Sequence, residues 1–75
     1  MLVKEYYIIQ NKEGKYFHID NASGGYPCFL RDFENCEKYN SEQSVKNFLD
    51  SEYVTRMFKK EFEDCIVKTV KIFIE

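Results

Sequence analysis

The segment between Asn40 and Glu63 carries two apolar stripes that cannot both lie on the same face of a single straight helix. The first stripe consists of Val45, Phe48 and Leu49, and the second of Val54, Met57, Phe58 and Phe62. At about 100° per residue, the second stripe points almost opposite to the first. We therefore predict a break near Asp50 and Ser51, with two helices over residues 41–49 and 52–63.

Capping residues support this division. Asn40 or Ser41 is expected to cap the first helix, because Asn40 and Gln43, three residues later, approximate a capping box. Ser51 is expected to cap the second helix.

Most of the remaining chain has the character of β-strands. Residues 2–10 are rich in β-branched and aromatic residues, and a turn ending at Gly14 follows them. The next residues alternate, with Phe17 on one face and Tyr16 and His18 on the other, and we take His18 for a surface residue. We predict a β-hairpin over residues 2–20.

Three further segments complete the expected fold. After a loop at residues 21–27, Cys28 to Leu30 is predicted to form a short third strand, and residues 36–39 a brief extended piece. Residues 65–74 are predicted to form a closing strand beside the first. The predicted fold class is α+β, a single domain over residues 1–75: a small antiparallel sheet with the two helices on one face.

Aromatic residues make up 17% of this chain of 75 residues, with seven Phe and six Tyr. A short chain needs large side chains to bury enough surface, so most Phe residues are expected inside. The predicted core aromatics are Phe17, Phe48, Phe58, Phe62 and Phe73. The predicted surface aromatics are Tyr6, Tyr16, Tyr26 and Tyr53.

The charge of the chain argues against a general binder of nucleic-acid backbone. Eleven Lys and Arg against thirteen Asp and Glu give a net charge of −2, without a basic excess. Residues 32–64 are acidic, with nine acidic and five basic side chains. This region is either a solvated helix face or an acidic patch that meets a basic partner.

Reactive side chains are few. Cys28, Cys36 and Cys65 have no close-pair spacing, and no apolar leader precedes them, so we expect reduced thiols in a cytoplasmic protein. The chain has one histidine, His18. We expect no enzyme activity, no catalytic residue, no metal and no cofactor.

The composition and several short motifs suggest a source and a kind of protein. Lys, Asn, Ile, Phe and Tyr are abundant while alanine occurs once, which is typical of a low-GC bacterium or its phages. The hairpin from Tyr7 to Tyr16 precedes a segment, residues 35–49, that runs into the first helix. This resembles small uncharacterised phage and prophage proteins with a tyrosine-rich β-hairpin, then an "Ala-x-x-Phe" segment leading into a helix. Cys36 and Tyr39 stand at the Ala and Phe positions, and the resemblance covers about residues 6–49.

The resemblance implies a protein-binding accessory role, with inhibition of host defence in some cases, and it transfers no catalytic residue. We therefore expect stoichiometric binding to a host or defence protein, for example as an anti-CRISPR-like inhibitor. The expected contact residues are Tyr16, Tyr26, Phe29 and Tyr53. The alternative is a single-stranded nucleic-acid binder that stacks bases on Tyr16, His18 and Tyr6. No membrane partner is expected, and a homodimer through an exposed sheet edge is a further expectation.

Overall fold

In the computed structural model, which describes residues 2–74, four antiparallel strands form one sheet in the order β3-β2-β1-β4. The strands are β1 (Leu2–Gln10), β2 (Tyr16–Asp20), β3 (Tyr26–Leu30) and β4 (Ile66–Ile74), and a 3-10 turn spans Asn21–Ser23. The helical elements are α1 (Glu42–Leu49), a π turn (Tyr53–Met57) and α2 (Lys59–Phe62). The predicted α+β class is confirmed, and β4 does lie beside β1.

The sheet consists of two ladders that barely touch. The β1–β4 ladder has nine residue pairs, and the β2–β3 ladder has five. Between β1 and β2, only Gln10 and Tyr16 are in register. The predicted hairpin is therefore correct in its topology, but its two strands diverge immediately after the turn.

A short segment, residues 37–39, fills the gap between the diverging strands. The Glu37 amide donates to the Phe17 carbonyl of β2 at 2.9 Å. On the other side, Tyr39 and Tyr7 of β1 exchange two main-chain hydrogen bonds, at 2.8 and 2.9 Å. In place of the predicted extended piece over residues 36–39, the structure has this isolated bridge at Tyr39. The hydrogen bonds of Glu37 and Tyr39 satisfy backbone groups that the divergence would otherwise leave without partners.

The main core lies between the sheet and the helical elements. It consists of Ile9, Phe17, Val45, Val54 and Phe62. Phe17 is fully buried, and its ring lies between 5.0 and 5.8 Å from the rings of Phe29, Phe48 and Phe62. Phe17 and Ile9 thus place the helical elements on one face of the sheet, as the alternation predicts.

The opposite face of β1 and β2 is also covered, and the prediction of a surface His18 was wrong. His18 is only 8% exposed, and its Nε2 lies 2.8 Å from the Asp32 carbonyl oxygen. Ile8 and Cys36 are buried as well. The loop after β3 crosses this face, a long-range arrangement that local alternation cannot reveal.

The first helix was predicted correctly, and the second was correct in its position but not in its geometry. Ser41 caps α1, accepting a hydrogen bond from the Ser44 amide, whereas Gln43 bonds to Asn47 and forms no capping box. The predicted helix 52–63 is instead a π turn followed by the four residues of α2. Ser51 is not a side-chain cap, because its hydroxyl donates to the Phe48 carbonyl.

Two residues predicted to be buried are exposed. In the π turn, the Phe58 amide bonds to the Tyr53 carbonyl five residues back, and this wider turn accompanies the outward position of Met57, which is 68% exposed. Phe73 is 64% exposed and lies opposite Val3, which is 48% exposed. Both side chains are exposed at that end of the β1–β4 ladder, so Phe73 is not a core residue.

Candidate protein-binding surface

Tyr26 is the most exposed of the four predicted contact residues. It begins β3, the edge strand at one side of the sheet, and 58% of its surface is accessible to solvent. Its ring meets the Phe58 ring edge-on, with 5.5 Å between the centroids. Such a pair stabilises one ring position, so Tyr26 is both exposed and supported from behind.

Tyr53 supports this arrangement from the helical side. Its ring is half-buried and lies 4.8 Å from the Phe58 ring, and its hydroxyl donates to the Gly25 carbonyl at 2.6 Å. Burial raises the pKa of the Tyr53 hydroxyl, which keeps it protonated as a donor. We expected Tyr53 to be a contact residue, and the structure gives it the geometry of a positioning residue for Tyr26.

The loop before Tyr26 is held by its own hydrogen bonds. The Gly25 amide donates to the Asp20 carbonyl at 2.9 Å, and the Ala22 amide donates to the Asp20 carboxylate at 3.1 Å. Gly24 and Gly25 have φ angles of 86° and 87°, which other residues rarely adopt. An added Cβ at either glycine would meet nothing within 4 Å, so conformation rather than space favours glycine there.

Phe29 lies in the core rather than at a contact surface. Its ring is half-buried, and it packs against Phe17 at 5.8 Å and against Phe62 at 5.7 Å. The sequence prediction grouped Phe29 with Tyr26 because they lie close together in the chain. In β3, however, Phe29 pairs with the fully buried Phe17 and shares its face.

The predicted base-stacking platform on Tyr16 and His18 is not formed. The Tyr16 ring is half-buried and meets the Phe33 ring edge-on at 5.5 Å, and His18 is buried beneath Asp32. Lys38 holds this covering loop, residues 31–36, in place. Its Nζ donates to three main-chain carbonyls at 2.7 to 3.3 Å and lies 4.9 Å from the Phe33 ring centre.

Met57 is an exposed apolar residue that sequence reasoning assigned to the core. Met57 directly precedes Phe58 in the chain. It is exposed because it lies in the π turn, and its helical spacing in the sequence does not reveal that turn. We use "Tyr26 surface" for Tyr26 and the Phe58 ring that packs against it. Leu30, at the end of β3, is likewise exposed at 48% and was not predicted as a surface residue.

The charges around Met57 are mostly basic, in contrast to the expected acidic helix face. An open groove of about 320 Å³ is lined by Met57 together with Arg56, Lys59, Lys60 and Glu61. Acidic side chains face basic ones one helical turn away: Glu52 lies 3.7 Å from Arg56 at the groove itself, and Glu42 lies 3.4 Å from Lys46 on α1. These ion pairs are well exposed, so each contributes little to stability, but they reduce the acidic field that the composition suggests.

The cysteines are free thiols at separate positions. Cys36 is buried, while Cys28 and Cys65 are half-buried. Burial raises the pKa of Cys36, and it raises the pKa of Cys65 to about 11, so both are weak nucleophiles at neutral pH. Among the described residues, no three His, Cys, Asp or Glu side chains are grouped as metal ligands would be.

Within residues 2–74, no helix is long and apolar enough to cross a membrane. Comparison of the chain with protein-family models, with curated proteins and with solved structures found no match.

Proposed function

We propose that this chain is a small accessory protein that acts by stoichiometric binding to another protein, with the Tyr26 surface at the centre of the contact. The proposal depends on one observation: the Tyr26 side chain is 58% exposed, and its ring nevertheless packs against the Phe58 ring. Tyrosine is enriched among residues that dominate binding energy, because its large ring has few rotatable bonds.

The supports behind Tyr26 reduce the entropic cost of binding. Tyr53 ties the preceding residue, Gly25, to the π turn, and Asp20 holds the loop through two hydrogen bonds. A side chain that is already restrained in the free protein loses less freedom when a partner covers it. The basic groove beside Met57 suits a partner that carries acidic groups around an apolar contact.

The proposed partner is a host or defence protein, and an anti-CRISPR-like inhibitor is the most concrete version of the proposal. The resemblance to phage proteins and the low-GC composition support this choice. We propose a cytoplasmic location, in keeping with three cysteines that are free thiols.

The experiment is an affinity capture from the lysate of a low-GC bacterium, comparing the wild type with Tyr26→Ala. We expect one near-stoichiometric protein with the wild type. Tyr26→Ala should weaken its binding by about 30-fold or more, which corresponds to roughly 2 kcal/mol for a dominant contact residue.

The matched control is Phe73→Ala, which truncates an aromatic residue of similar exposure, 64% against 58%, on the strand at the opposite edge of the sheet. This variant should capture the partner as the wild type does. Capture that Tyr26→Ala leaves unchanged, or only background proteins with the wild type, would contradict the proposal.

Single-stranded nucleic-acid binding was the alternative prediction. It rested on a stacking surface formed by Tyr16, His18 and Tyr6, and the loop 31–36 covers His18 and packs on Tyr16, while Tyr6 is half-buried. We therefore do not propose it as a second function.

A further inference from the structure

The outer edge of β4 carries a row of main-chain groups that face away from the sheet. Tyr7 uses its amide and carbonyl to bond with Tyr39, on the side of β1 away from β4. The amide and carbonyl of a strand residue point to the same side, and this side alternates from one residue to the next. The main-chain groups of the even-numbered residues of β1 therefore point toward β4. The register pairs them with the even-numbered residues of β4. The odd-numbered residues of β4 therefore present their amides and carbonyls outward: Val67, Thr69, Lys71 and Phe73.

Exposed apolar side chains concentrate on the β1–β4 ladder. Seven large hydrophobic residues in the described chain are exposed, and four of them lie on β1 or β4: Val3, Ile66, Val67 and Phe73. β4 has β1 as its sole neighbour among the described strands. A nine-residue edge strand of this kind is a template for pairing with another strand.

β4 can pair with β4 of a second copy of this chain, and the positions of its lysines restrict the register of that pairing. When two β4 strands pair antiparallel, the two-fold axis that relates them is perpendicular to the sheet. The residue nearest to the axis then lies directly opposite the same residue of the other copy, and we name each register by that residue. An axis at Lys68 or Lys71 would place a lysine directly opposite itself, which is unfavourable. An axis at Thr69 or at Val70 avoids this.

The axis at Val70 is the better of the two. It overlaps all nine residues of β4, and it places Thr69 opposite Lys71 and Val67 opposite Phe73. These four residues are those with outward main-chain groups, so the two strands would form about eight hydrogen bonds. The Lys71 side chains would lie diagonally across from each other, each with Glu5 of its own β1 directly opposite. An axis at Thr69 would instead bring the Lys68 side chains together, and the residue opposite Lys68 on β1 is the uncharged Ile8.

We propose that two copies of this chain associate through their β4 edges, antiparallel and centred on Val70, to form one continuous sheet. Val67 of each copy then contacts Phe73 of the other, which covers two exposed apolar side chains per copy. One strand pair is small for an interface, so we expect a dissociation constant of roughly 10–100 μM. The inference does not depend on the proposed function, because Tyr26 lies on β3 at the other edge of the sheet.

The test is sedimentation equilibrium of the full chain over a concentration series, with three variants. Thr69→Lys places lysines opposite Lys71 twice in the dimer, and should raise the dissociation constant at least tenfold. Val3→Lys adds the same charge to the neighbouring strand, away from the edge, and should leave association near the wild-type value. The swap Thr69→Lys with Lys71→Thr returns a lysine opposite a threonine. It also sets the two new lysines diagonally across from each other with the uncharged Tyr7 opposite on β1, so association should recover in part, above the level of Thr69→Lys alone.

The swap also separates the two registers, because an axis at Thr69 would place the new lysine opposite its own copy. A chain that stays monomeric up to about 1 mM, or a dimer that Thr69→Lys leaves intact, would overturn the proposal. A swap that associates no more tightly than Thr69→Lys alone would overturn the Val70 register. Circular dichroism checks that each variant folds, and because Thr69 is exposed we expect little effect on stability.

Discussion

The hydroxyl of Tyr53 gives a direct test of how the loop before Tyr26 is held. The substitution Tyr53→Phe removes one hydrogen bond, 2.6 Å long, to the Gly25 carbonyl and leaves the ring contact with Phe58 in place. A neutral hydrogen bond contributes about 0.5–1.5 kcal/mol net. Gly25 is half-buried, so water can reach its carbonyl after the change, and we expect a loss of about 1 kcal/mol.

The loss should be largest in the loop. A decrease of about 1 kcal/mol in the free energy of local opening raises amide hydrogen exchange about fivefold. We expect this increase at the amides of Gly24 and Gly25, which bond within the loop to Asn21 and Asp20. If the loop opens only when the whole chain unfolds, the melting temperature should also fall, by about 4–8 °C.

The measurement is native-state hydrogen exchange followed by NMR, with Tyr16→Phe as the matched control. Tyr16 makes no hydrogen bond through its hydroxyl to the side chains or main chain that the structure describes, so its removal should leave exchange in the loop nearly unchanged. Equal exchange at Gly24 and Gly25 in the two variants would refute the positioning role of Tyr53.

Two further predictions concern other parts of the fold. Because burial raises the pKa of Cys65 to about 11 from its ordinary 9.0, the unfolded chain loses this proton first. The stability contributed by the protonated thiol should be complete below about pH 9 and fall between about pH 9 and 11. Measured by urea denaturation, the free energy of unfolding should decrease less over this pH range for Cys65→Ala than for the wild type. An equal decrease in both proteins would contradict the raised pKa of Cys65. Lys38→Met removes an ammonium that bonds to three carbonyls of loop 31–36 and should cost about 1–2 kcal/mol in urea denaturation. Lys46→Met, which breaks only an exposed ion pair, should cost less than about 0.5 kcal/mol, and an equal loss in both variants would refute the role of Lys38.

The elements that sequence reasoning predicted correctly are those with a simple local period. The alternation around Phe17 and the helical spacing of Val45, Phe48 and Leu49 are repeated patterns, and both elements formed as expected. The position of β4 beside β1 also followed, because the α+β arrangement leaves few alternatives.

The errors arise where distant segments meet or the local period changes. His18 has the alternation of a surface residue, but a loop fourteen residues later covers it. Met57 has core spacing only if the helix keeps its ordinary turn, and the π turn alters that spacing. Of the predicted contact residues, Tyr26 is exposed, while Tyr16, Phe29 and Tyr53 are half-buried against other aromatic rings.

The two ladders of the sheet also imply an order of assembly. The β2–β3 ladder joins residues close along the chain, from Asp20 with Tyr26 to Tyr16 with Leu30. Every rung of the β1–β4 ladder joins residues more than fifty positions apart, such as Gln10 with Ile66. Closing the longer loop costs more chain entropy, so β2–β3 should form early and β1–β4 late. Substitutions in β2 and β3 should then slow folding, whereas those in β4 should mainly accelerate unfolding.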